Sequence, residues 1–518
     1  MPATRTRPPT IPTEELDLDR WIRELLNRHA AVGFAIGVVR DGRMAAFGAH
    51  GLADIEAATP ITQDTVFRIA SITKTFTAIA VMQLWEDGLV DLDAPASAYL
   101  RAYRLIPAAG STRAPTLRHL LTHTAGIPEL VRATDLLRPD WGDSIGLDEP
   151  MPTLAELYGE GIRLHGEPGT TYTYSNHGFA TLQQIVEDVG GRPFRAHLRE
   201  RIFEPLGMAD TDLLRTDRLA ARLATGYTPG AHGPRRVTER AWVTPGASSV
   251  YSTTADMGRY IAALVGGGSN EHGTILRPAT MAMMFVPHFR GDPRVPGMGL
   301  GFDRLEADGR LVIGHGGILP GFNSQLFAAP DHGTGVIAWT TGAHLAMLWL
   351  PTETGRLLNR LNGAKDDALR TDVPKRPETW ADLCGHYRAT GRLTDIRARM
   401  MTGFGADVYV AGDRLMLRLL TPVPSLLRGL ELHPDSETDA DVFRLDLARF
   451  GLPPARIVFT RRPGVGATAM HLDIFPMSLH RQPAATTRPR AWRLVAASTL
   501  LATAATLVAR RLWRATPA

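Results

Sequence analysis

Apolar and polar positions change period several times along the chain, and the changes mark out elements. Residues 16–29 repeat at helical spacing and lead into GFAIGVVRDGRMAAFGAHG, where two apolar runs flank Asp41-Gly42, a dipeptide suited to the positive φ angles of a tight β-hairpin. Over residues 71–87 the positions Ile72, Phe76, Ile79, Ala80 and Leu84 predict a helix, with Gly88 placed to end it. Residues 78–82 are apolar on every side, the mark of a helix with no solvent face. Helical and loop segments follow to about residue 240 and include a helix over 253–265, entered by a T-x-x-D capping box at Thr253 and Asp256. Strand patterning returns in RLVIGHGG and NSQLFAAPDHGTGVIAWTT, and a further helix ends near Asn362. A strand pair, a helical middle and returning antiparallel strands predict an α+β body over residues 16–363.

The pattern then changes character. AKDDALRTDVPKRPE is polar and proline-bearing and reads as a linker, placed at 364–376. CGHYRAT, DVYVAGDRLMLRLL, VFRLDL and ARIVFT are short alternating runs between turn residues, which predicts a small antiparallel β-domain over 377–482, with a lipocalin-like barrel as one closure. Residues 1–15 are polar and proline-rich and are expected to be disordered. In the basic tail, 483–518, residues 494–509 are uncharged, with Arg488, Arg490 and Arg493 before them, Arg510, Arg511 and Arg514 after them, and Trp492 and Trp513 where interfacial aromatics stand. That arrangement predicts a membrane helix over 492–513, although at about 1.5 Å per residue the uncharged run reaches only about 24 Å against a hydrocarbon core of about 30 Å. With no Sec-type apolar stretch at the N-terminus, the expectation is a membrane-associated protein whose body faces the cytoplasm.

Length and charge narrow the function classes. A chain of 518 residues calls for at least two domains. The single cysteine, Cys384, leaves neither a disulfide framework nor a thiolate metal cluster. Net charge is +4, but the seven arginines beyond Asp473 meet no acid, so residues 1–473 carry about −3. The body therefore lacks the basic stripe of a nucleic-acid binder, and no nucleic-acid partner is expected. Only three lysines accompany the many arginines, Lys74, Lys365 and Lys375, and Lys74 lies inside an apolar helix.

Positions i and i+3 share a helix face, so Lys74 lies within reach of the Ser71 hydroxyl. A lysine among apolar groups loses preference for its charged form, which would let it take or relay the serine proton. The plain alternative is a capping serine and a lysine that snorkels to water. Two further stretches bear on the choice. PGTTYTYSNHGF sets Tyr174, Ser175 and Asn176 in a turn before an amphipathic helix ending at Gly190-Gly191, where Ser175 or Asn176 could serve only as a cap. GRLVIGHGGILPGF sets His315, Gly316 and Gly317 at a strand end, where a second backbone can approach closely.

In this order S-x-x-K, Y-x-N and H-x-G resemble the three motifs of the serine β-lactamase and penicillin-binding-protein superfamily, in the branch of class C β-lactamases, family VIII carboxylesterases and D-stereospecific peptidases. TVFRIASITKTFTAIAVMQLWEDGLVDLD, TLRHLLTHTAGIP, IFEPLGMADT, YSTTADMGRY and GHGGILPGF resemble family segments as well, over roughly residues 18–350. The resemblance implies a β-lactamase/transpeptidase-like fold and a serine hydrolase acting through an acyl-enzyme. It assigns Ser71 as nucleophile, Lys74 as proton partner and Tyr174 as general base. Asn176 and His315 with Gly316 and Gly317 would bind substrate, and the N–H groups of Ser71 and Ile318 would form the oxyanion hole. No cofactor or metal is expected.

The expected substrates are small esters or amides. A lactam substrate or a D-Ala-D-Ala-type peptidase activity is the alternative, and a non-catalytic binding module of the same fold is a second one. His315 stands where lactamases of this branch carry lysine, so a permanent cation for an antibiotic's carboxylate is missing. Ser248-Ser249 stands where the resemblance places the family's Gly-Gly pair, a replacement that would narrow the cleft. Two motifs compete. GDSIG matches the nucleophile elbow around Ser144, but PDW precedes it and LDEPMP follows, without the strand and helix an elbow needs. HLLTH spaces His119 and His123 as zinc ligands but lacks the glutamate of H-E-x-x-H.

Overall fold

A hairpin organises the body. α1 (Leu18–Arg28) begins where the Asp17 carboxylate accepts the N–H of Arg20 at 2.8 Å, and it buries Leu18, Ile22 and Leu25 along one stripe. β1 (Gly33–Arg40) then turns through Asp41 (φ 50°) and Gly42 (φ 76°) into β2 (Arg43–Asp54), as the Asp-Gly dipeptide predicts. The computed structural model describes residues 17–389, 402–421, 424–474, 476–483 and 492–493. They fall into two units, one of residues 17–290 and 296–367, the other of 291–295 and the described residues from 368 onward.

The first unit is built on a seven-stranded antiparallel sheet. β3 (Thr59–Pro60) lies at one edge beside β2, and β4 (Asp303–Ala307), β5 (Arg310–Leu319), β6 (Phe322–Ala329) and β7 (Thr334–Thr341) follow in sequence to meet β1. Every residue of β1 before Arg40 is buried, because both faces are covered. Phe34, Ile36 and Val38 pack with α1 and with α5 (Ala346–Leu361) through Trp349, Leu350 and Leu357. Ala35 and Val39 face the other way, into a core with α2 (Thr73–Glu86) and α4 (Thr254–Val265) through Phe76, Ile79, Met257 and Ile261. Each such aliphatic or aromatic side chain removed from water contributes about 1.5–3 kcal/mol, so the sheet is fixed from both sides.

α2 is buried from Thr73 to Leu84, in accord with its lack of a polar face. Its hydroxyls are absorbed locally: Thr75 donates to Ile72 O at 2.8 Å and accepts from the Tyr260 hydroxyl at 2.7 Å. Two details differ from the pattern reading. Ser71 precedes the α-helix, in a short 3-10 turn over Ala70–Ile72. The capping box of α4 is half formed: Thr253 accepts the N–H of Asp256, but the Asp256 carboxylate turns away to Asp210 N, Thr211 and Arg259.

The second unit is a closed eight-stranded barrel, its strands running from Gly385–Ala389 to Ser478–Gln482 and closing by pairing His386 with Gln482 and Ala389 with Leu479. Closure leaves no free edge. Tyr387, Leu417, Ile457, Phe459 and Met470 form its core.

The expected fold class needs correction at the tail. Among the described residues no helix is long and apolar enough to cross a membrane. The uncharged run 494–509 lies outside the described residues. Trp492, expected at a lipid interface, is half-buried against Leu420, with the Arg418 guanidinium 5.1 Å from its ring centre. The fold is therefore an α+β body with a C-terminal barrel, and the membrane helix over 492–513, the membrane partner and the membrane-associated localisation with a cytoplasm-facing body are withdrawn with it.

Candidate active site

Lys74 is the most constrained residue of the site. It has no exposed surface. Its Nζ lies 3.1 Å from Ser71 Oγ, 2.9 Å from Asn176 Oδ1 and 3.0 Å from Ala247 O. It also lies 4.7 Å from the centre of the Tyr174 ring and 5.8 Å from that of Phe179, close enough to be attracted by both π faces. Snorkelling to water is thereby excluded. Two of the three oxygens, Asn176 Oδ1 and Ala247 O, can only accept. As an ammonium Lys74 can donate to all three; once it gives up a proton, two protons would serve the fixed acceptors and the lone pair would face Ser71 Oγ.

The turn that carries Ser71 is held by its surroundings. Ala70 adopts φ +52°, a left-handed conformation that costs a non-glycine residue on the order of 1 kcal/mol and persists where packing dictates it. β5 runs against this turn: a Cβ on Gly317 would lie 2.2 Å from Ile69 O and 2.2 Å from Ser324 Oγ, so only glycine fits. Ser324 on β6 donates to Ile69 O at 3.0 Å. His315 is mid-strand in β5, not at its end, and is buried. Its Nδ1 lies 2.6 Å from Gly316 O, so that nitrogen carries a proton, and its ring is 6.4 Å from that of Tyr174. The Ile318 side chain, next to Gly317, is 55% exposed.

The Y-x-N segment enters α3 (Asn176–Gly190) without the capping bond that was the plain alternative. Ser175 Oγ donates to Pro128 O at 2.9 Å, while Asn176 turns to Lys74. The structure therefore brings Ser71, Lys74, Tyr174 and Asn176 together, with His315 beside Tyr174 and Gly317 behind the serine.

The Beta-lactamase family description matches residues 18–356. The chain belongs to this family. It is 28% identical over 423 residues to a D-aminopeptidase of Cereibacter sphaeroides, spanning 80% of this chain and 73% of that enzyme. It is 34% identical over 228 residues to esterase EstB of Burkholderia gladioli, spanning 42% of this chain and 56% of the esterase. Its fold is similar to that of the octameric penicillin-binding protein homologue from Pyrococcus abyssi, with a TM-score of 0.56 at 21% identity over 90% of this chain and 100% of that one. This is a family of serine hydrolases.

Neither competing motif forms the centre its spacing suggested. Ser144 Oγ donates to the Asp140 carboxylate and accepts from Arg240 Nε at 2.8 Å, on a two-residue strand that no helix directly follows. His119 Nδ1 accepts the N–H of Thr116 within a helix cap. His123 Nδ1 accepts the N–H of Ser175 at 3.2 Å, and its ring stacks on Tyr174 with centres 4.4 Å apart, so its work is to seat the tyrosine. Ser248 and Ser249 are both buried, beside the Ala247 carbonyl that holds Lys74.

Sequence reasoning missed Asp143, Ala247 and Asp303. Asp143 accepts from Asn176 Nδ2 at 2.8 Å. Asp303, at the start of β4 and paired with Gly314, keeps part of its surface accessible, but protein surrounds its carboxyl; that desolvation pushes its pKa up to about 7, against an opposing pull from Lys74. A carboxyl raised from its ordinary value of about 4 keeps in the native state a proton that the unfolded chain releases, so stability falls as pH rises between about 4 and 7. Asp303→Asn removes that titration. Thermal melts from pH 5 to pH 8 should show the melting temperature of Asp303→Asn gaining several degrees on the unsubstituted protein; a constant gap would contradict the raised value.

Proposed function

We propose that this chain hydrolyses small esters or amides, the latter including short peptides, through an acyl-enzyme on Ser71. The observation that carries the reading is the buried Lys74 amine within hydrogen-bond distance of Ser71 Oγ and of two fixed acceptors. In the first half-reaction Ser71 Oγ bonds to the substrate carbonyl carbon while its proton passes to the Lys74–Tyr174 pair. The carbonyl electron pair moves to oxygen, where the N–H groups of Ser71 and Ile318 stabilise it. Collapse breaks the bond to the leaving oxygen or nitrogen, which departs with the proton. Water then attacks the acyl carbon, gives its proton to the same pair, and Ser71 is released with a proton returned. Asn176 and the β5 segment from His315 to Ile318 orient the substrate. The D-aminopeptidase and esterase relatives agree with an acyl group that need not be a lactam.

The third motif shapes specificity. A lysine there would offer a permanent cation, whereas His315 commits Nδ1–H to Gly316 O. Short-chain p-nitrophenyl esters should be hydrolysed. Ser71→Ala should lose at least about 1,000-fold in kcat, Lys74→Ala and Tyr174→Phe comparable amounts because the three act as one unit, and Ser144→Ala almost nothing. Full turnover by Ser71→Ala would refute the assignment. Nitrocefin should be hydrolysed far more slowly than the best ester, and His315→Lys should lower KM for carboxylate-bearing lactams. Equal rates on nitrocefin and ester by the native protein would sink this view of the third motif.

A further inference from the structure

Asn176 is held at both ends, and at the carboxylate end the hydrogen bonding can run only one way. A lysine side chain offers Asn176 a donor, and a carboxylate offers it only acceptors. Lys74 Nζ meets Oδ1 at 2.9 Å, and Nδ2 meets Asp143 Oδ2 at 2.8 Å. Turning the amide over would set its oxygen against the carboxylate, losing that bond, and would set its NH2 on Lys74. Asp143 belongs to the GDSIG stretch, where the serine drew attention; the aspartate is the residue that reaches the site.

Its seat is well built. Asp143 is 7% exposed, its N–H donates to Asp140 O at 3.1 Å, and its carbonyl accepts from Val243 N at 2.9 Å. Ser144 and Ile145 pair with Trp242 and Ala241, so Asp143 is pinned to the segment that continues to Ala247, the other fixed acceptor of Lys74. On its far side Asp143 Oδ1 lies 3.7 Å from His177 Nε2, and His177 Nδ1 lies 3.0 Å from the Tyr158 hydroxyl.

Building on the serine-hydrolase reading above, we infer that Asp143 is a positioning residue that holds the Asn176 carbonyl oxygen on Lys74 and so keeps the Lys74 lone pair directed at Ser71. Without that acceptor the amide is free to turn its NH2 toward the neutral amine. The N–H would then donate into the lone pair that Ser71 needs, and the base would be occupied. Ser71, Lys74 and the β5 segment stay in place, so the loss falls on kcat more than on KM, with any change in KM confined to the contact Asn176 makes with substrate.

The test is a double-mutant cycle on ester hydrolysis by the full chain, with melting temperatures measured alongside. Asp143→Ala should lower kcat about 10- to 100-fold with KM little changed, the scale of a misplaced catalytic group. Asp143→Asn, which keeps an oxygen for Nδ2, should recover most of that loss. In an Asn176→Ala background, Asp143→Ala should cost no more than about twofold further. Should Asp143→Ala fail to fold, Asp143→Leu, closer in volume, supplies the same comparison. Losses that multiply in the double mutant, or an unchanged kcat in Asp143→Ala, would overturn the inference while leaving Ser71-dependent turnover intact. Absence of Ser71-dependent turnover in the unsubstituted protein would overturn the hydrolase reading and this role together.

Discussion

A lysine nitrogen enclosed on all sides is the constraint from which the rest of the site follows. Taking an ammonium out of water costs several kcal/mol even after the surroundings relax, and the cost is tolerable only where its hydrogen bonds are remade. Lys74 finds three oxygens and two aromatic faces. Burial makes the charge expensive, and once the ammonium gives up a proton the fixed acceptors decide where its lone pair points. Chemistry and packing thus rest on one set of contacts.

Each contact is held by a different part of the fold. α2, with no solvent face, fixes the lysine backbone. The turn at Ala70–Ile72 is pressed by β5 at Gly317 and tied to β6 through Ser324, which places the serine in front of the sheet. The N-terminus of α3 brings Asn176, and the segment ending at Ser248 brings the Ala247 carbonyl. His123 seats Tyr174 by stacking, a role that its spacing from His119 concealed.

What was legible in the sequence was local. The Asp-Gly hairpin, the stretch 78–82 of α2 that is apolar on every side and the i, i+3 placement of Ser71 and Lys74 all follow from periods of a few residues, and the order of the three motifs carried the family. Asp143 and Ala247 were not legible, because one meets Asn176 from 33 positions away and the other contributes only a backbone oxygen. Asp303 is perturbed by desolvation, which no linear pattern records. The half-formed box at Thr253 shows a motif yielding to tertiary demand, since Asp256 is drawn to Asp210 and Thr211. The tail misled for a related reason. Arginines and tryptophans around a weakly apolar run match a membrane flank, yet Trp492 spends its ring on Leu420 and Arg418.

The central claim, that buried Lys74 activates Ser71, is tested most directly by covalent capture. A fluorophosphonate probe transfers its phosphonyl group to an activated serine oxygen with loss of fluoride. Intact mass and peptide mapping after labelling at pH 7 should show one equivalent, on Ser71, with a labelling rate that falls by orders of magnitude in Lys74→Ala. Label on Ser144 or another serine, or an equal rate without Lys74, would contradict the account.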